Sequence, residues 1–195
     1  MIDTKAPPLY PSALPGFSVP IAARTALLFN LAATCAAGLA ALLPLGSAAY
    51  WGFADEGTIL QQVALMPAAV GAFGPTERLL AAVITVVAVL PLAWGLVRLG
   101  VCFRAFAQGR PFAPKGIAGL RDFALGMAIA ALAKPIGYTL MVLVLTWNAG
   151  PGQRQLALAL NSDALLMALF AATIAALAWA MEKAAIVADE NSQFV

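Results

Sequence analysis

The sequence predicts an all-α membrane protein, four transmembrane helices in a bundle with both termini cytoplasmic. Three observations carry that expectation: the apolar share of the chain, four separate apolar runs of bilayer length, and a one-sided distribution of Lys and Arg between them. Of its 195 residues, 63% are hydrophobic and 10% charged, with a mean hydropathy of +0.90. A soluble domain is about 45 to 50% apolar and about 25% charged. A globule of this size exposes too much of its inventory to hide so many apolar side chains from water, so lipid is the expected solvent.

Residues 1–23 hold Pro7, Pro8, Pro11, Pro15 and Pro20, too many imino acids for a regular helix, and read as an irregular cytoplasmic tail. Residues 24–195 read as one transmembrane domain. Its first span, about 24–44, is carried by the run TALLFNLAATCAAGLAALLPL that follows Arg24, and about 20 residues at 1.5 Å each cross a hydrocarbon core of about 30 Å. Residues 46–78 read as a loop with an interfacial aromatic cluster, Tyr50, Trp51 and Phe53, and a short amphipathic piece around TILQQVAL. The second span, 79–101, contains Pro91, which removes one ladder hydrogen bond and is expected to kink it. A basic connection, 102–122, leads to the third span, 123–147. The turn-rich NAGPGQRQ then precedes the fourth, 163–182, and a short tail carrying Asp189 and Glu190.

Lys and Arg in short loops resist translocation. Arg98, Arg104, Arg110, Lys115 and Arg121 flank the connection between spans two and three, against Arg78 and Arg154 on the other face, which puts the middle connection and both termini in the cytoplasm. Lys5, Arg24 and Lys183 agree. Ser47 and Ala49 resemble a signal-peptidase site, but the apolar run before them exceeds the usual core of about 7 to 15 residues, so the first span is expected to be retained.

The net charge of +2 lacks the basic footprint that direct nucleic-acid binding needs. The chain has no His, hence no usual haem ligand and no imidazole base. Cys35 and Cys102 lie in different apolar runs and read as packing residues. No GxxxxGK, HExxH or CxxC string occurs. No enzyme, catalytic residue, metal site or cofactor is expected.

Lys134 stands out, about eleven positions into the third span and about 16 Å deep. A cation there costs at least about 2.5 to 3.5 kcal/mol and marks a functional site or a specific internal pair. With Asp163 and Glu77 placed near the outer face, Glu182 is the expected partner, with the Ala131 carbonyl, freed by Pro135, and Asn30 as further structural options. In the fourth span, alanine recurs every four residues; Ala168, Ala172, Ala176 and Ala180 form a small-residue row suited to helix packing within the chain or to a homo-oligomer. Ala33, Ala37 and Ala41 form its counterpart. Arg104, Arg110, Lys115 and Arg121, interleaved with Phe103, Phe106 and Phe112, suit an anionic inner leaflet or a cytosolic docking partner.

From about Gly74 to Val195 the chain resembles a family of small bacterial membrane proteins catalogued as domain of unknown function 2975. The likeness rests on PTERLL, LVRLGVCFRAFAQGRPFAPKGIAGLRDF and EKAAIVADENSQFV. The chain departs from that pattern at Lys115 and Gly116, where an acidic, polar pair is expected, and at Asp122, where a basic residue is commoner. The resemblance implies a four-helix protein of a bacterial cytoplasmic (inner) membrane and a pairing with a small helix-turn-helix regulator in the cytoplasm. The functional expectation is a non-enzymatic regulatory or sensory membrane protein, the alternatives being a small transporter or channel subunit that uses Lys134 and the proline kinks, or a structural or assembly protein.

Overall fold

The computed structural model describes residues 20–63, 74–147 and 162–192. Five helices make up almost all of that backbone: α1 Ala23–Phe53, α2 Glu56–Val63, α3 Pro75–Ala107, α4 Pro114–Leu145 and α5 Ser162–Ser192. All but α2 are long and apolar enough to cross a membrane. The NAGPGQRQ break and residues 1–19 of the expected tail lie outside the described residues.

The four long helices have 31, 33, 32 and 31 residues, longer than the expected spans. At 1.5 Å per residue they run about 46 to 50 Å, well past a hydrocarbon core of about 30 Å. An apolar run marks where lipid demands an apolar surface; the backbone ladder continues beyond it until a cap or turn stops it. Thus α1 runs on through Pro44 to Phe53, absorbing the start of the expected 46–78 loop, and the amphipathic piece in that loop becomes α2. The 102–122 connection shrinks to residues 108–113.

That short turn follows from its residues. Gly109 takes a left-handed φ of 72°, its N–H donates to the Phe106 carbonyl at 2.9 Å, and the Arg110 N–H donates to the Ala105 carbonyl at 3.0 Å. These two bonds satisfy carbonyls that α3 would otherwise leave bare, the Schellman arrangement that glycine adopts without strain. Ala113 then caps α4 with Pro114 in its first turn, where a missing N–H costs nothing.

Extensive packing joins α1 to α3, α3 to α4 and α4 to α5. No extensive α1–α5 interface exists among the described residues, so the expected bundle is corrected to an open row. Such an open layer leaves apolar outer faces on α1 and α5, which water solvates poorly and a lipid solvent accommodates as well as another helix does. Phe29 of α1 packs on Phe103 and Phe106 of α3, with ring centroids at 6.5 and 5.5 Å. Cys102, Leu120 and Ala178 cluster at the same end. The start of α1 and the end of α5 therefore lie beside the α3–α4 turn.

Large side chains point outward and small ones inward. Leu132, Leu45, Leu165 and Leu169 are each at least 65% exposed, while the buried positions are mostly alanine, Ala33, Ala81, Ala130, Ala171 and Ala178 among them. The inner seam of α5 is Ala164, Met167, Ala171, Ile174, Ala178 and Met181, steps of three and four, and α1 repeats it with Phe29, Ala33, Ala36, Ala40 and Leu43. This corrects the row as a packing seam within the chain: Ala168, Ala172, Ala176 and Ala180 are all exposed, as are Ala37 and Ala41. Four residues overshoot one turn by about 40°, so such a row leaves the contact after a step or two, whereas alternating steps average 3.5 and stay under one stripe.

The tightest contact is α3 against α4. A Cβ at Gly126 would fall on the Pro91 carbonyl oxygen, one at Gly119 on the Arg98 carbonyl oxygen, one at Gly95 would lie 3.2 Å from the Phe123 Cα, and one at Gly116 3.1 Å from the Ala105 Cβ. Gly126→Ala therefore forces two backbones apart and is expected to destabilise by about 1 to 3 kcal/mol. Gly38→Ala, which meets nothing within 4 Å, is expected to be neutral or slightly stabilising through helix propensity. Thermal unfolding of both variants in detergent checks this; equal stability would contradict the contact.

Candidate functional site at the charged end of the helix row

The α3–α4 hairpin concentrates cations at one end. Gly116 against Ala105, and Gly119 against the Arg98 carbonyl, set the register between the helices, so Arg104 and Lys115 stand at one level with Arg110 in the turn. Arg104, Arg110, Lys115 and Arg121 are all exposed. No ion pair engages any of the four among the described residues. Like charges at one level repel, which favours solvated side chains over mutual packing.

Arg98 behaves differently. Its Nε donates to Asp122 Oδ2 at 2.7 Å, with the Asp122 side chain 18% exposed. The pair bridges α3 and α4 about three turns inside the hairpin, where a lone Arg98 would be costly. Asp122 thus engages Arg98, one of the five cations flanking the connection and not one of the four expected docking residues. Sequence reasoning noted Asp122 only as a departure from a family pattern, and the missed signal is depth: a carboxylate at the start of an apolar run, facing an arginine at the end of the preceding one.

The glycines were missed as well. Gly95, Gly119 and Gly126 are what permit the α3–α4 contact, and small residues seven apart within an apolar helix, as Gly119 and Gly126 are, would have marked it. Cys102 is buried as expected, in the cluster with Leu120 and Ala178, whereas Cys35 is exposed rather than packed.

Lys134 is exposed on α4, and among the described residues no hydrogen bond or ion pair engages it. The expected pairing with Glu182 is corrected by register. Ala178 meets the Leu120 cluster, which puts Glu182 one turn toward the hairpin end, while Lys134 lies fourteen residues the other way. The gap of roughly 27 Å at 1.5 Å per residue is far beyond a lysine side chain. Asn30 is no partner either, since its neighbour Phe29 packs at the hairpin end.

The opposite end of the row is tied by short-range bonds. Arg78 Nη1 donates to the Ala54 carbonyl at 3.0 Å, placing a cation at the C-terminus of α1, where the helix dipole favours it. Asp55 caps α2 by accepting from the Thr58 amide at 3.0 Å and the Thr58 hydroxyl at 2.6 Å. Ile59 of α2 is then fully buried with Trp51, Ala81, Val142 and Leu145. An open cleft of about 420 Å³ lies beside this cluster, lined by Leu43, Ser47, Tyr50, Thr85 and Met141 among others. The Ser47 hydroxyl bonds the Leu43 carbonyl and the Thr85 hydroxyl the Ala81 carbonyl, so both donors are consumed within their own helices.

Fold and charge pattern together define an all-helical protein with four helices long and apolar enough to span a membrane. No protein-family model, no curated protein and no solved structure matches the chain.

The Asp55 cap sets a pH dependence. The Thr58 hydroxyl, and after it the Thr58 amide, hold the Asp55 carboxyl below its ordinary value of 3.8. Because the folded value is the lower one, the cap's contribution is complete above 3.8 and is lost as pH falls through the folded value. An NMR titration of the Thr58 amide is expected to show its midpoint below 3.8, and Asp55→Ala to remove the inflection and the amide's exchange protection. A midpoint at or above 3.8 would contradict the cap.

Proposed function

We propose that this protein is a non-enzymatic regulatory or sensory component of a bacterial inner membrane, whose hairpin end lies in the cytoplasm and docks a soluble partner with an acidic surface. The single observation that carries this reading is the set Arg104, Arg110, Lys115 and Arg121, all exposed on a hairpin held by backbone-close packing at Gly116 and Gly119. Cations fixed on a rigid support lose less freedom on binding than cations on a floppy loop, so more of their attraction appears as affinity.

The cytoplasmic orientation rests on the excess of Lys and Arg at that end, joined by exposed Arg24 and Lys183 from the neighbouring helices. The partner proposed is a small helix-turn-helix regulator, suggested by the resemblance of residues 74–195 to the family named above. The protein itself does not bind nucleic acid in this scheme. Lys134 and the proline-containing spans support the transporter alternative less well, because no carboxylate accompanies Lys134 within hydrogen-bonding distance among the described residues.

Purification from native membranes in mild detergent is expected to bring down a stoichiometric soluble protein with the wild type. The combined variant Arg104→Ala, Arg110→Ala, Arg121→Ala is expected to lose it by about tenfold or more, with release from the wild type rising steeply with salt. Retention of the partner by a correctly inserted triple variant would overturn the proposal, as would recovery of anionic lipid alone.

A further inference from the structure

The cleft at the α2 end of the row is polar at one end only. Leu39, Leu42, Leu43, Gly46, Ser47 and Tyr50 line it from α1, at the three- and four-residue spacing that keeps one face of a helix together. Leu39 and Leu42 are 51% and 64% exposed, whereas Ser47 and Tyr50 bring hydroxyls, as does Thr85 from α3. Arg78 holds the Ala54 carbonyl one turn beyond Tyr50, so the hydroxyls lie toward the polar boundary and the leucines toward the middle of the span. Leu39 to Tyr50 is eleven residues, about 16 Å, close to half of a hydrocarbon core of about 30 Å. The cleft therefore has the length of one leaflet, in the half away from the hairpin.

One polar group in its wall is left over. The Tyr50 hydroxyl is buried without a hydrogen-bond partner among the described residues, a condition that native structures seldom leave unanswered and that calls for an acceptor. The Ser47 and Thr85 hydroxyls already donate to carbonyls of their own helices, so Tyr50 is the hydroxyl with a proton to give. Its side chain is part-buried, and rotation about its own χ angles brings the hydroxyl toward the cleft without backbone movement. No Lys or Arg lines the cleft among the described residues, which suits an uncharged acceptor and disfavours a carboxylate or phosphate. The volume of about 420 Å³ falls within the range of about 300 to 1,000 Å³ typical of ligand sites.

We propose that this cleft is a lipid site, which seats one acyl chain of an ester-linked glycerolipid along Leu39, Leu42 and Leu43, with the ester carbonyl accepting from the Tyr50 hydroxyl. The chain supplies apolar length, and its ester supplies an uncharged acceptor at the depth where the chain ends. A concave wall and a hydrogen bond separate this lipid from those that merely border the outward Leu132 of α4 and Leu169 of α5. Such a site requires the helices to be membrane spans and is independent of the partner proposed at the hairpin. Gly46 gives access to it by mutation: a Cβ there meets nothing within 4 Å, so Gly46→Leu puts a side chain into the cleft without displacing a backbone.

The full chain is reconstituted in vesicles of ester-linked phosphatidylethanolamine and phosphatidylglycerol with a trace of phospholipid bearing a diazirine in its acyl chain. After irradiation, adducts are located by peptide mass spectrometry. Labelling is expected to concentrate on residues 39–50 and Met141 over Leu132 and Leu169, and Gly46→Leu is expected to bring it down to the level of those outward leucines. Unlabelled ester phospholipid is expected to compete about fivefold better than its ether-linked analogue of the same headgroup and chains, a preference that Tyr50→Phe abolishes. Cleft labelling no denser than at Leu132 and Leu169, unchanged labelling in Gly46→Leu, or equal competition by ester and ether lipids with the wild type would overturn the lipid site. Absence of labelling at Leu132 and Leu169 as well would overturn the membrane reading with it.

Discussion

The α3–α4 contact is the constraint on which the charged end depends. Gly95, Gly119 and Gly126 let one helix backbone rest on the carbonyl oxygens of the other, at a separation no side chain could share. That separation sets the register, brings Arg98 within 2.7 Å of Asp122, and leaves room for only six connecting residues, which Gly109 can turn. The exposed cations of the hairpin are placed by this contact rather than by any bond of their own.

Lipid explains why the remaining architecture is open. Helices in water must find partners for every apolar stripe, and four of them close into a bundle for that reason. In lipid the exposed Leu27, Leu132 and Leu169 meet a favourable solvent, and association then rests on close fit between small residues and on satisfied polar groups. The α1, α3, α4 and α5 helices fit their chain neighbours and stop there. Hydroxyls of Thr34 and Thr173 bond carbonyls one turn back in their own helices, which makes them acceptable within apolar spans without specifying a partner helix.

The few charges inside or beside the spans do specify. Arg98 with Asp122 ties α3 to α4, and Arg78 closes the C-terminus of α1 from α3. The α1–α3 and α3–α4 boundaries thus each combine close packing with one charged tie, whereas no ion pair engages the cations of the hairpin end among the described residues.

Composition and apolar run length determined by themselves that this chain is helical and built from four segments of bilayer length, because both depend only on the solvent the side chains require. The same reasoning located Arg104, Arg110, Lys115 and Arg121 at one end, since charge near a span boundary is a one-dimensional property. Helix ends were not legible at residues 45–53 or 102–122, where the end of the apolar run and the appearance of charge suggested loops while the backbone ladder simply continued to a cap. Tertiary structure alone decided which alanines pack, since a four-residue row and a three-four row both look small and periodic until a partner helix selects the stripe. It also decided that Asp122 belongs to Arg98 and that Glu182 is out of reach of Lys134, because depth along one helix becomes distance only after its register against the next is set.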